Sequence, residues 1–334
     1  MPSHPLENPF EIPKERDPDH KTFVKSVLGK GSKSKPKENV GRETEFVLSA
    51  EDQKKIEAER IFGEIIVRES QALRKFFGEE IAIPPFPRQA TKERILEWRR
   101  LGLELHYLPA ITMAKIKRGS KGKILEVAPI EFPGWKKKPG KRYANQGISI
   151  DFFDKIKSGD LDSSALDLPG AWILVDTREK PSYVGNSDQM YQNDFLGPIL
   201  EELNEKGIIK QTRINTNEPL RADSRFGISP SELDDLRVKK AIAKVMGISE
   251  EYVSLPRAIE FNVLGNLYYP EWGETDTDEW FEDGYKEHWR LYGGASLDGG
   301  LSCVSAGRCN YINGSIGFRM IARFPVNQEE IHKK

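Results

Sequence analysis

Apolar positions recur at intervals of three and four residues along several stretches of the chain, the spacing that places side chains on one face of a helix. Ser49, and either Ser229 or Ser231, stand where a capping hydroxyl is favoured at a helix start. Gly78 and Gly247 stand where helices end. The pattern predicts helices over residues 49–77, 91–101, 151–156, 193–205 and 229–246.

Strands are predicted where apolar residues run together or alternate with polar ones. Ala171–Asp176 is a continuous apolar run typical of a buried strand. Leu103–Leu108 and Ile124–Ile130 also have the composition of strands. Between residues 318 and 324 the apolar side chains alternate with two arginines, which predicts one strand with a single buried face.

Composition and charge limit the classes of protein to which the chain can belong. Of its 334 residues, 37% are hydrophobic, which suffices for a core. The formal net charge is −1, and we do not expect nucleic acid as a partner because phosphate binding needs a positive excess. No stretch has the ~18 apolar residues of a membrane helix, and the first ten residues lack the apolar centre of a signal peptide. We expect a cytoplasmic protein without membrane insertion, with display on a cell surface or a virion left open.

Five short motifs follow one another in the last third of the chain. They are Leu255-Pro256-Arg257-Ala258-Ile259-Glu260-Phe261, Pro270-Glu271-Trp272-Gly273, Asp278-Glu279-Trp280, Leu291-Tyr292-Gly293-Gly294-Ala295-Ser296 and Ile316-Gly317-Phe318-Arg319-Met320-Ile321. In this order they resemble the "LPTEAEWE", "PWG", "EW", "RGGSW" and "GFR" elements of formylglycine-generating-enzyme-like domains, with one residue inserted in the second. The N-terminal half has no match to the opening segment of those enzymes.

The resemblance implies an α+β fold with a C-type-lectin-like C-terminal module of the formylglycine-generating-enzyme subtype and a helix-containing N-terminal region. Such a module has a small, mostly antiparallel sheet, two helices and long loops. Residues 1–44 are rich in Pro, Lys, Gly and Ser, which predicts a disordered or loosely attached arm. We expect an N-terminal α+β region over 45–165 and the lectin-like domain over 166–326.

Residues 291–316 have an unusual composition. They contain no Lys, Glu, Gln, Met or Trp, although these five types make up 83 of the 334 residues. Every residue type present is encoded by a codon that differs from an Asn codon ending in C or T only in its first two bases. In this respect the segment is similar to the variable proteins of diversity-generating retroelements, in which a reverse transcriptase rewrites adenines in the codons of a ligand-contacting loop.

That resemblance implies a ligand-binding protein rather than an enzyme. The expected ligand is a protein or a cell-surface molecule, and no cofactor or metal is expected. The candidate contact positions are Ala295, Leu297, Asp298, Ser302, Cys303, Ser305, Ala306, Arg308, Cys309, Asn310, Tyr311 and Asn313. The expected fixed framework comprises Gly293, Gly294, Gly299, Gly300, Gly317 and Phe318.

The alternative is an enzyme. Cys303 and Cys309 are the only cysteines, and both lie in this loop region. Formylglycine-generating enzymes oxidise a substrate cysteine with a copper ion held by two loop cysteines, and thiolates suit Cu(I). The C-x5-C spacing is one residue longer than the usual pair of that family, and its aromatic and Arg-rich surroundings are missing.

Three further clusters have structural interpretations. Trp272, Trp280, Phe281, Trp289 and Tyr292 are expected to supply a compact core. The acidic group Asp276, Asp278, Glu279, Glu282 and Asp283 is expected to be a solvated loop rather than a Ca²⁺ site. The basic run over 135–142, broken by Pro-Gly, is also expected to be a solvated loop.

Overall fold

The computed structural model describes residues 50–135, 147–184, 189–211 and 221–326. The predicted arm over 1–44 and residues 136–142 of the basic run lie outside the described residues. Within the described ranges the chain is a mixed α+β protein with seven α-helices and three small sheets, which confirms the predicted class. None of the helices in these ranges combines the length and the apolar character needed to cross a bilayer.

The helices begin and end close to the predicted positions. They are α1 (Ala50–Phe77), α2 (Lys92–Arg100), α3 (Ile150–Ser158), α4 (Gly197–Glu205), α5 (Pro230–Leu233), α6 (Leu236–Met246) and α7 (Ala258–Leu267). The Thr91 hydroxyl accepts a hydrogen bond from the Arg94 N–H and caps α2. Gly247 ends α6 in the left-handed conformation, as expected for a helix C-terminus.

Two predicted helix boundaries were wrong for identifiable reasons. The helix expected over 229–246 is two helices, because Asp235 has an extended backbone and its carboxylate caps a new helix by accepting from the Arg237 N–H. Ser229 caps the first of them, with Glu232 completing a capping box. The helix expected from residue 193 begins at Gly197, where Pro198 occupies the first turn.

Ten strands form the three sheets. They are β1 (Leu103–Leu108), β2 (Ala114–Arg118), β3 (Ile124–Pro129), β4 (Ala171–Asp176), β5 (Val253–Ser254), β6 (Asp278–Tyr285), β7 (Trp289–Gly293), β8 (Ser305–Arg308), β9 (Ile316–Phe318) and β10 (Ile321–Pro325). The predicted strands at β1, β3 and β4 are confirmed.

The first sheet is antiparallel and has the strand order β1-β4-β10-β5. All six residues of β4 are buried, and Trp172, the second of them, stacks on Phe86 with ring centroids 4.7 Å apart. Strand β1 lies before residue 165 in the chain, whereas the other three strands of this sheet lie after residue 165. The predicted division at residues 165 and 166 therefore runs between strands that share hydrogen bonds.

The second sheet carries the loop region and has the strand order β8-β7-β6-β9, while β2 and β3 form a separate hairpin. Strands β6, β7 and β8 are antiparallel, and β9 is parallel to β6. The segment after Gly294 has no strand period in its sequence, yet Ser305–Arg308 pairs with β7 over four residues. Trp272, Trp280 and Phe281 are buried as predicted, whereas Trp289 and Tyr292 are half-buried.

The single strand predicted over 318–324 was wrong, and so was the solvated acidic loop. Strands β9 and β10 are separated by Arg319 and Met320, and Arg319 is fully buried. Asp278, Glu279 and Asp283 lie in β6 and are 9%, 0% and 7% exposed. Arg319 donates to both carboxylate oxygens of Glu279. This pairing allows both charges to be buried, since a buried charge is tolerated only when it is paired and hydrogen-bonded.

Candidate functional site: a loop surface on the second sheet

Two glycines hold the backbone of the loop region against the rest of the fold. A Cβ atom at Gly293 would overlap the Cys303 carbonyl oxygen. A Cβ atom at Gly300, which has a φ of +62°, would lie 2.6 Å from the Gly273 carbonyl oxygen. Side chains at these two positions are excluded by backbone atoms, which requires glycine at both.

Buried polar side chains fix the first turn of the loop. Lys180 Nζ donates to the Gly294 carbonyl at 2.9 Å, and the Ala295 N–H donates to Asp278 Oδ1 at 3.0 Å. Burial raises the pKa of Asp278 to about 6, and the ammonium of Lys180 opposes that rise. Because these contacts use main-chain atoms of the loop, they do not depend on the side chains that the loop displays.

The far end of β8 is also held through main-chain atoms. The Cys309 N–H donates to the His288 carbonyl at 2.8 Å. The Cys309 carbonyl accepts from the Ser231 N–H and from the Ser231 hydroxyl, both at 2.9 Å. The segment from Arg308 then leads back across the sheet to β9 beside β6.

The twelve candidate contact residues divide into three groups by exposure. Leu297, Asp298, Arg308, Asn310 and Tyr311 are exposed and are called here the loop surface. Ser305, Ala306, Cys309 and Asn313 are half-buried. Ala295, Ser302 and Cys303 are buried, contrary to the expected open face, and we leave them out of the loop surface.

Exposure is greatest at Leu297, whose relative accessibility is 81%. Asn313 differs from the others because its side-chain oxygen accepts from the Ser315 N–H and from the Ser315 hydroxyl, both at 2.9 Å. This Asx-type turn leads into β9, so Asn313 shapes the backbone as well as being partly exposed.

Part of the loop surface lines a cavity of about 490 Å³. Its walls are Ser231, Glu287, His288, Trp289, Arg308, Cys309 and Asn310. The Arg308 guanidinium lies 5.9 Å from the centroid of the Trp289 ring and forms no ion pair within the described ranges. An exposed guanidinium over an aromatic face is a favourable contact for an incoming acidic or aromatic group.

Sequence analysis missed several of these wall residues. Ser231 is remote in sequence, and only the fold brings it to Cys309. Glu287 and His288 lie in the turn between β6 and β7, where His288 has a positive φ of 65°. That conformation is uncommon for a residue other than glycine, but nothing in the sequence marks it.

Strand β8 separates the two cysteines. Cys303 lies beside Gly293 at one end of β7, whereas Cys309 bonds to His288 at the other end. Strand β8 runs between them, and its four residues alone span about 10 Å. Two thiolates that share one ion at about 2.3 Å must lie within roughly 5 Å of each other. Burial also raises the pKa of Cys303 to about 12, which disfavours the thiolate.

Within the parts of the chain that the structure describes, no group of three or more His, Cys, Asp and Glu side chains is placed to hold a metal ion. Comparisons with protein-family models, with curated proteins and with solved structures found no match to this chain.

Proposed function

We propose that this chain is a ligand-binding protein whose loop surface is diversified by a retroelement and presented on a C-type-lectin-like scaffold. The observation that carries the proposal is the composition of residues 291–316, from which the five types that randomised Asn codons ending in C or T cannot encode are absent. The absence extends over exposed and buried positions alike, so burial alone does not explain it.

The way the loop is held supports the proposal. Lys180, Asp278 and Ser231 bond to main-chain atoms at both ends of the loop region. Leu297 is 81% exposed, and Arg308 is exposed with no side-chain hydrogen bond within the described residues. A substitution at such a position removes no buried contact, and surface changes of this kind usually alter stability by at most about 0.5 kcal/mol.

The lectin-like subtype is supported by the order of the five motifs and by where they meet. Glu279, Trp272 and Arg319 come from three different motifs and lie in contact. Glu260 from a fourth motif pairs with Arg323 just beyond the fifth, at 2.7 Å. Residues from the motifs therefore form the buried contacts beneath the loops.

The ligand we infer is a protein or a cell-surface molecule contacted by Arg308 and Tyr311. Tyrosine buries a large area at low entropic cost, and arginine binds carboxylates with two parallel hydrogen bonds. The cavity of about 490 Å³ beside Arg308 is large enough to admit one side chain of a partner. The copper oxidase stays the alternative, and no observation on the two cysteines favours it.

A pair of displayed libraries tests the proposal. The first randomises the five positions of the loop surface with codons of any two bases followed by C or T. The second treats five framework positions in the same way: Gly293, Gly294, Gly300, Gly317 and Phe318. We expect most members of the first library to resist protease and few members of the second to do so.

Binding is tested by selection from the first library against one purified protein that the parent chain does not bind. Selected clones should lose binding when the loop surface is returned to the parent residues, with an unchanged melting temperature. The proposal is wrong if the first library unfolds as often as the second, or if no binder can be selected from a library that folds.

A further inference from the structure

A second cavity, of about 720 Å³, lies between the end of α2 and the segment that follows β4. Four cationic side chains line it, namely Arg99, Arg100, Arg178 and Lys180, against the single carboxylate of Glu179. The volume suits a small molecule. The excess of cations in one cavity contrasts with the net charge of −1 for the whole chain.

Arg99 and Arg100 are exposed in the last turn of α2, and their side chains make no hydrogen bond or ion pair within the described residues. Arg94, on the same helix, instead pairs with Glu97 at 2.7 Å. The two guanidinium groups at the cavity are therefore free to bind an anion, and guanidinium groups bind phosphate oxygens through paired hydrogen bonds.

Arg178 is held in place at the wall of the cavity. Its Nη1 donates to Asp176 Oδ1 at 2.8 Å and its Nη2 donates to the Leu101 carbonyl at 2.7 Å. A guanidinium has two N–H groups on each of these nitrogens, so one on each is left for a ligand. A Cβ atom at Gly102 would lie 3.1 Å from this guanidinium, so the glycine makes room for it.

Lys180 adds a buried cation to the wall of this cavity. It is 1% exposed, and Nζ donates to the carbonyls of Thr277 at 2.6 Å and Gly294 at 2.9 Å. An ammonium has three N–H donors, so one is left over. Asp278 and Glu279 attract this ammonium electrostatically, but neither carboxylate forms an ion pair with Nζ, so the third donor can serve a ligand.

We propose that this cavity binds a phosphate group, carried by a soluble small molecule or by a lipid headgroup, with Arg99 and Arg100 as mobile clamps and Arg178 and Lys180 as fixed donors. The site does not involve the loop surface and does not depend on the function proposed for it. Its arginines lie outside the segment 291–316, so every member of a diversified repertoire would keep it.

The test is isothermal titration of the full chain with sodium pyrophosphate at low ionic strength. The variant Arg99→Gln/Arg100→Gln is compared with Arg88→Gln, which replaces an exposed arginine that does not line the cavity. We expect the double variant to bind at least about tenfold more weakly, since it loses two charge-assisted contacts. Arg88→Gln should bind as the parent does.

Thermal melts give a second readout, because the basic last turn of α2 also stabilises the helix dipole. Pyrophosphate should raise the melting temperature of the parent and of Arg88→Gln but not of the double variant, whatever its own starting stability. The proposal is overturned if the parent does not bind pyrophosphate, if the double variant binds equally well, or if Arg88→Gln is weakened to the same degree.

Vesicles distinguish the two sources of phosphate. Binding to phosphatidylcholine vesicles that contain phosphatidylinositol 4-phosphate, lost in the double variant, assigns a lipid headgroup. Binding of pyrophosphate without such vesicle binding assigns a soluble molecule. Equal affinity of parent and double variant for single-stranded DNA, exceeding that for pyrophosphate, would contradict a site for a single phosphate group.

Discussion

The carboxylate of Glu279 and the guanidinium of Arg319 form a fully buried ion pair, with Arg319 Nη2 2.9 Å from Glu279 Oε1. Arg319 also donates to the Asp176 carbonyl of β4, and its guanidinium lies 4.0 Å from the centroid of the Trp272 ring. The Tyr191 hydroxyl donates to the same carboxylate. The pair therefore joins the first sheet to the second beneath the loop region.

Breaking this pair should destabilise the whole fold. Glu279→Gln leaves the Arg319 charge buried without its counter-ion, and removing one partner of such a pair costs about 3 to 5 kcal/mol. The measurement is the free energy of unfolding in urea. Glu202→Gln removes the exposed partner of Lys206 on α4 and should not change it measurably. Equal losses in the two variants would show that the buried pair has no special role.

Gly293→Ala should destabilise the chain, because the added methyl group overlaps the Cys303 carbonyl oxygen and overpacking costs about 1 to 3 kcal/mol. Gly284→Ala is the matched control on the neighbouring strand β6, since nothing lies within 4 Å of its added Cβ. Urea unfolding measures both. A neutral Gly293→Ala would mean that the loop backbone is not held as the structure places it.

The pH dependence of stability should report on Asp283. Burial raises its pKa to about 6 from 3.8, although the Ala258 N–H and Arg257 oppose the rise. Since the folded state then holds more protons than the unfolded state between pH 4 and 6, this group contributes stability at about pH 4 that is lost as pH rises through about 6.

Asp283→Asn keeps an oxygen that accepts from the Ala258 N–H, a bond of 2.6 Å, and cannot ionise. Its melting temperature should therefore fall less between pH 4 and 6 than that of the parent. Asp278, whose pKa burial likewise raises to about 6, adds to the same slope, so Asp278→Asn/Asp283→Asn should be flatter still. A parent-like slope in both variants would contradict the assignment.

The two cysteines should react differently. Burial raises the pKa of Cys303 to about 12, and its side chain is 7% exposed, whereas Cys309 is half-buried at the edge of a cavity. At pH 8 iodoacetamide should modify Cys309 and spare Cys303, with both modified in urea, as mass spectrometry of peptides would show. Equal modification of Cys303 in the folded chain would show that the loop opens, and would favour the copper alternative.

Local sequence signals were sufficient wherever short-range physics sets the structure. The helix α2, the end of α6 at Gly247 and the buried strand β4 were all predicted correctly. The split between α5 and α6 was missed because Asp235 interrupts an otherwise amphipathic pattern, and a capping carboxylate inside such a pattern looks like an exposed helical residue.

Long-range partners explain the other errors. Arg319 and Asp278 have charged side chains and were expected in solvent, but each is buried because a partner from another segment pairs with it. Within the candidate site, Ala295 and Leu297 belong to the same glycine-rich stretch, yet one is 3% and the other 81% exposed. The neighbouring residues do not distinguish these two positions. Their exposure depends on how the turn over 295–297 packs against Thr275, whose carbonyl accepts from the Ser296 N–H.

The central claim is that a retroelement rewrites the loop surface while the framework stays fixed, and the most direct measurement is the sequence of the DNA around the gene. We predict a nearby near-copy of the codons for residues 291–316 beside a reverse transcriptase gene. The differences should fall where the copy has adenine, including the codons of Leu297, Arg308, Asn310 and Tyr311. The claim is contradicted if the neighbourhood contains no such copy, or if the differences fall equally on the codons of Gly293, Gly300 and Phe318.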